Sequence, residues 1–129
     1  MDTKLESLWG QLTSNSKLDR DRGNQQLELD LKTNKDLVDT FVDFIIHRSA
    51  KQTSSVELSW QNKLGILSAA EILCRHSKNE NLTKIAPIAI EWLSDDEVRV
   101  RIQSGMAVNT IHYDVITKFM LFPYLSSHF

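Results

Sequence analysis

Four histidines and one cysteine are the side chains with the chemistry for metal binding or nucleophilic attack. His47, His76, His112 and His128 are scattered along the chain. No two stand at the i, i+4 spacing that would set two imidazoles around zinc on one helical face. Cys74 and His76 are two residues apart and would leave a helix in different directions. The expected place for the histidines is solvent-facing, at helix ends. A nucleophilic thiol needs a base and an oxyanion hole. No GxSxG, GxGxxG, P-loop or HExxH motif supplies the frame for either. Cys74 follows Leu73 near the end of an apolar segment and reads as a buried, inert thiol. Two carboxylate groups remain, Asp19 with Asp21 and the run Asp95, Asp96, Glu97. Both stand where a helix N-terminus favours acids, so capping accounts for them better than acid–base catalysis. The expectation is a non-catalytic chain with no metal and no cofactor.

The other candidates are binding residues. Asp19, Arg20, Asp21 and Arg22 form a mixed-charge run, read as a solvated turn or a ridge that touches a partner. Trp60 stands beside a turn, as a core residue or as an aromatic anchor, and the basic residues Lys63, Arg99 and Arg101 follow it in the chain. Trp and Arg carry much of the energy of binding hot spots. One of Arg99 and Arg101 is expected in an internal ion pair and the other exposed. Trp9 and Trp92 fall within apolar stripes and are expected in the core. Phe119, Phe122 and Tyr124 belong to a segment too apolar to lie bare.

The bulk composition narrows the setting. With 129 residues, the chain is long enough for one domain or a few stacked repeats. Hydrophobic content of 41% and charged content of 25% are those of a globular protein. The net charge of -2 gives no field to draw nucleic acid or an anionic membrane. No apolar run approaches the roughly 20 residues that span a bilayer, and the first residues lack the apolar stretch of a signal peptide. A single cysteine suits a reducing compartment, the cytoplasm or the nucleus.

The elements that position these side chains are helices. Leu5, Leu8, Trp9 and Leu12 fall at i, i+3, i+4 and i+7. Leu27, Leu29 and Leu31 alternate as in a strand, but the surrounding Gln, Glu and Asp favour a helix over 18–31. Thr33 and Asn34 break the chain and cap the helix after them. Leu37, Val38, Phe41, Phe44 and Ile45 give a helix ending near Ala50. Ser54 with Glu57 reads as a capping box for a helix running to Arg75. Leu82, Ile85, Ile88, Ala89, Trp92 and Leu93 make the strongest stripe, interrupted by Pro87. An interior proline costs about 3 kcal/mol, so this helix is expected to kink or to start near Ile85. Ser94 with Glu97 reads as a second capping box, before a helix whose stripe is Val98, Ile102, Val108 and Ile111.

These helices repeat. Leu18, Trp60 and Val98 are spaced 42 and 38 residues apart, and Leu31, Leu73 and Ile111 keep the same register. Gly23 aligns with Gly65, and Leu64 with Ile102. Each unit reads as helix, polar turn, helix, with a period near 40. In the last full unit Pro87 is followed by Asp96, then Val98 and Arg99 at the start of the second helix. That pattern resembles the HEAT/armadillo-type helical repeats, most specifically over 87–111. The second unit has Trp60 and Gln61 in place of Val-Arg, and the first has Leu18 and Asp19. The resemblance implies an all-α fold, an α-α superhelix of about three and a half hairpins. Its units would be approximately 2–32, 34–76, 80–112 and a partial 114–127.

The resemblance also implies a function. HEAT-like stacks are protein-interaction scaffolds or adaptors, here binding another protein through one ridge and its turns. A narrower version is a TOG-like tubulin-binding domain, which works through the turns inside each pair. The apolar residues Phe119 to Leu125 imply one of two things. Either the chain is the N-terminal part of a longer solenoid, or this edge packs on a second copy or another protein. If the three turns form one surface, binding is favoured. A deep pocket that holds either Cys74 or a histidine–carboxylate pair would favour an enzyme.

Overall fold

The computed structural model describes residues 3–52, 58–77 and 79–115. These residues form six α-helices and one 3-10 turn, with no strand among them. The alternation at Leu27, Leu29 and Leu31 resolves as helix: Leu27 and Leu31, four apart, are buried while Leu29 faces solvent. None of the described helices is long and apolar enough to cross a membrane.

Helix α1, Thr3–Leu12, buries Leu5, Leu8, Trp9 and Leu12, the four residues of its stripe. Helix α2, Lys17–Thr33, starts at Ser16, whose hydroxyl accepts from the Asp19 amide. Asp19 to Arg22 therefore lie within the first turns of α2, not in a turn between helices. Asn34 ends α2, its amide donating to the Asp30 carbonyl at 2.9 Å. Its side chain accepts from the Asp36 amide at 3.1 Å and so leads into α3, Leu37–Gln52.

Helix α4 spans Trp60–His76 and its cap is Ser59. The Ser59 hydroxyl accepts from the Asn62 amide, and the Asn62 side chain accepts in return from the Ser59 amide. The expected Ser54–Glu57 box lies outside the described residues. Helix α5 spans Asn79–Glu91, so Pro87 sits in its interior instead of near its start. The proline faces solvent, and water can take the carbonyl that its missing N–H leaves free.

After Glu91 the backbone tightens into a 3-10 turn, Trp92–Ser94. The change of period keeps Trp92 buried but turns Leu93 outward, against the expected stripe. Helix α6 spans Val98–Val115. Over residues 98–111 its buried residues are Val100, Ser104, Ala107 and Ile111. Val98 and Ile102, expected in the core, lie on the opposite face and are exposed.

The helices pack in a defined order. α1 lies on α2, α2 on α4, and α4 on α6, while α5 packs on α6 and α3 on α5. One apolar core runs through them, with Leu12, Leu31, Phe41, Ile45, Leu67, Leu73 and Ile85 almost wholly enclosed. The Trp9 and Phe44 rings meet edge to face at 5.8 Å, bringing α1 onto α3. Cys74 is buried in the same core, as its neighbours in the sequence suggest.

Two aligned glycines set the closest approach. A Cβ on Gly23 would stand 3.0 Å from the Leu12 amide nitrogen, and one on Gly65 would collide with the Leu12 carbonyl. The end of α1 is thus held between α2 and α4. The Asn62 side chain fixes it there by donating to the Thr13 carbonyl.

Candidate functional site

The turns before α2, α4 and α6 meet along one edge of the molecule. Between the first two, the Ser59 hydroxyl is 3.4 Å from the Asn15 side chain, beside the Asn62–Thr13 bond. Between the second and third, the Lys63 ammonium pairs with the Asp95 carboxylate. The Arg99 guanidinium lies 3.7 Å from the centre of the Trp60 ring. Lys63 also stands 5.8 Å from the Trp92 ring, so each of two cations has an aromatic neighbour. Trp60, Lys63, Arg99 and Arg101 are therefore brought together, and Trp60 is half-buried beneath Arg99.

The third turn is built around Asp95. Its carboxylate accepts from the Glu97 amide at 3.0 Å and also takes Lys63. This overturns the expected Ser94–Glu97 capping box: the Ser94 hydroxyl instead donates to the Glu91 carbonyl at 3.2 Å. Glu97 faces forward, accepting from the Arg99 side chain at 2.8 Å. Arg101 donates to the backbone oxygens of Asp95 and Asp96 at 2.7 and 3.0 Å. Both arginines are exposed: Arg99 pairs with Glu97 at the surface, so the internal ion pair expected for one of them is not what forms.

Partial burial pushes the Asp95 carboxyl up, but hydrogen bonds from Lys63 and Glu97, with the charges of Lys63 and Arg101, outweigh it. The net effect holds Asp95 below the usual carboxylate range. Glu97 is also lowered, chiefly by its hydrogen bonds with Arg99.

The first turn is organised differently. The Arg20 guanidinium donates to the Ser14 carbonyl at 2.9 Å, and the Asp19 carboxylate accepts from the Ser14 hydroxyl at 3.2 Å. Both side chains brace the turn, while Arg22 is exposed. Phe119, Phe122 and Tyr124 lie outside the described residues.

The histidines divide. His47 is exposed, as expected, and shares an open groove of about 310 Å³ with Leu5, Thr40, Asp43, Phe44 and Arg48. His76 departs from expectation. It is half-buried, with Nε2 2.7 Å from the Glu28 carboxylate, and Arg75 approaches the same group at 3.4 Å. Partial burial raises Glu28, but the His76 hydrogen bond and the nearby charges outweigh it and lower it overall. This cluster clasps α4 to α2, and its 48-residue separation gave no sequence signal.

The described residues hold no group of three or more His, Cys, Asp or Glu placed to bind a metal ion. Comparison with known proteins returned no matching family model, no similar curated protein and no similar solved structure.

Proposed function

We propose that the chain is a short α-α superhelix of HEAT-like pairs, working as a non-catalytic scaffold that binds another protein. The row of turns is its binding edge. One observation carries this reading: side chains of successive turns reach across to one another, through Ser59 and Asn15, Lys63 and Asp95, Trp60 and Arg99. A surface cross-linked in this way keeps its shape when a partner arrives, so little ordering cost opposes binding. The packing of α2 on α4 and α4 on α6 supports the superhelix. The cationic and aromatic groups at its centre, Trp60, Lys63, Arg99 and Arg101, are of the kinds that anchor partners.

A photo-reactive residue at position 60 would identify the partner by cross-linking. Affinity for that partner is then measured for the native chain and for a Trp60→Ala, Arg99→Glu double variant. The reading expects at least about tenfold weaker binding, close to 1.4 kcal/mol, with helicity unchanged by circular dichroism. Unchanged affinity would remove the turn row from the site.

A further inference from the structure

α4 and α6 occupy the same position in successive helical pairs, 38 residues apart from Trp60 to Val98. What α6 covers on α4 therefore indicates what would cover α6. The covered face of α4 begins at Trp60, under Arg99, and continues through Lys63, paired with Asp95. It includes Leu64, packed against the core, and Glu71, 3.2 Å from the Gln103 amide. The matching residues of α6 are Val98, Arg101, Ile102 and Asn109.

On α6 that face is bare. Val98, Ile102 and Met106 stand at i, i+4 and i+8, in one line along the helix. They are 50%, 60% and 54% exposed. Beside them a Cβ added at Gly105 would meet nothing within 4 Å. Single exposed apolar residues need no explanation. A line of three, on the face that α4 buries at the same repeat position, does.

We propose that this face of α6 docks an amphipathic helix of a partner protein. That helix lies beside α6 as α6 lies beside α4, with a carboxylate just ahead of its first turn. The charge pattern selects this occupant. Lys63 receives Asp95 from the turn ahead of the neighbouring helix. Arg101, the cation at the same repeat position, contacts only backbone oxygens among the hydrogen bonds described. Residues 116–129 contain no Asp or Glu side chain that could play this part. A second copy, antiparallel about Ile102, would set Arg101 against 99–105, which holds no acid either. The inference rests on the repeat stacking proposed above but not on the turn row as a binding edge.

The probe is a synthetic peptide of residues 92–115, the segment that already covers α4 and carries Asp95 ahead of its helix. Titration calorimetry with the full chain should show binding. Ile102→Glu in the protein should weaken it at least tenfold, and Asp95→Asn in the peptide several-fold. Arg101→Met in the protein should erase the difference between the two peptides. Trp60→Ala should leave peptide binding intact, which separates this face from the turn row. Absence of binding, or binding indifferent to Ile102→Glu, overturns the proposal. A dimer in light scattering that Ile102→Glu dissolves would make a second copy the occupant and also overturn it. So would slow peroxide oxidation of Met106 in the protein alone, because the chain itself would then cover the face.

Discussion

The Lys63 ammonium meets the Asp95 carboxylate across the joint between α4 and the turn ahead of α6, with 19% and 10% of the two side chains exposed. Removing one member leaves the other half-buried without its charge partner. Lys63→Met and Asp95→Asn should each cost about 1–3 kcal/mol. The double variant should cost less than the two together. A double-mutant cycle from urea denaturation measures the coupling, and strict additivity would show that the pair contributes nothing of its own.

Stability should depend on pH through Asp95 and Glu28, both held below the ordinary carboxylate range. Each binds its proton less readily in the folded chain than in the unfolded one. Their contribution is therefore complete above the unfolded values, near pH 4, and drains away as acid drives the folded groups to protonate. The urea midpoint should fall as the pH drops from about 5 towards 3. Asp95→Asn should be less stable at pH 7 and show a shallower fall.

Glu71 has the opposite sign. Burial raises its carboxyl, and the charge of Arg75 offsets this only in part. Its favourable contribution exists below the unfolded value and is lost as pH rises through the raised one, so at pH 7 the ionised group is a burden. Glu71→Gln keeps an acceptor for Gln103 and removes the charge. It should raise the melting temperature at pH 7, and the gain should vanish by about pH 4.

The glycines should separate sharply on substitution to alanine. Gly65→Ala drives a methyl into the Leu12 carbonyl, which is backbone and cannot swing away. A loss of about 3 kcal/mol or more is expected, as for severe overpacking. Gly105→Ala meets open space within a helix and should gain up to about 1 kcal/mol. Thermal melts of the two variants decide this, and similar values would mean that the end of α1 yields easily.

The helices were legible because their buried residues recur at helical spacing. Leu5, Leu8, Trp9 and Leu12 show this most cleanly, and all four are buried. What misled was local chemistry that more than one geometry satisfies. Ser94 and Glu97 have the spacing of a capping box, yet the 3-10 turn draws Ser94 back to Glu91, Asp95 takes the Glu97 amide, and Glu97 itself accepts from the Arg99 amide in the first turn of α6. The box at Ser59 was hidden because its third residue is Asn62, and the usual signal is Glu or Gln. On α6 two apolar lines compete, Val98–Ile102–Met106 and Val100–Ala107–Ile111, and only packing on α4 and α5 selects the second. At the proposed binding edge, Trp60, Lys63, Arg99 and Arg101 were visible as residue types, but the pairing of Lys63 on α4 with Asp95 ahead of α6 was not.

The placement of α1 changes how the helices should come apart. A helix at the end of a bundle can fray while the rest stays folded. Here the last turn of α1 is lodged against Gly23 of α2 and Gly65 of α4. Peeling α1 away would open a slot along α4 and release the Asn62 tether in the same event. Backbone amides of α1 and of the first half of α4 should therefore exchange with solvent together.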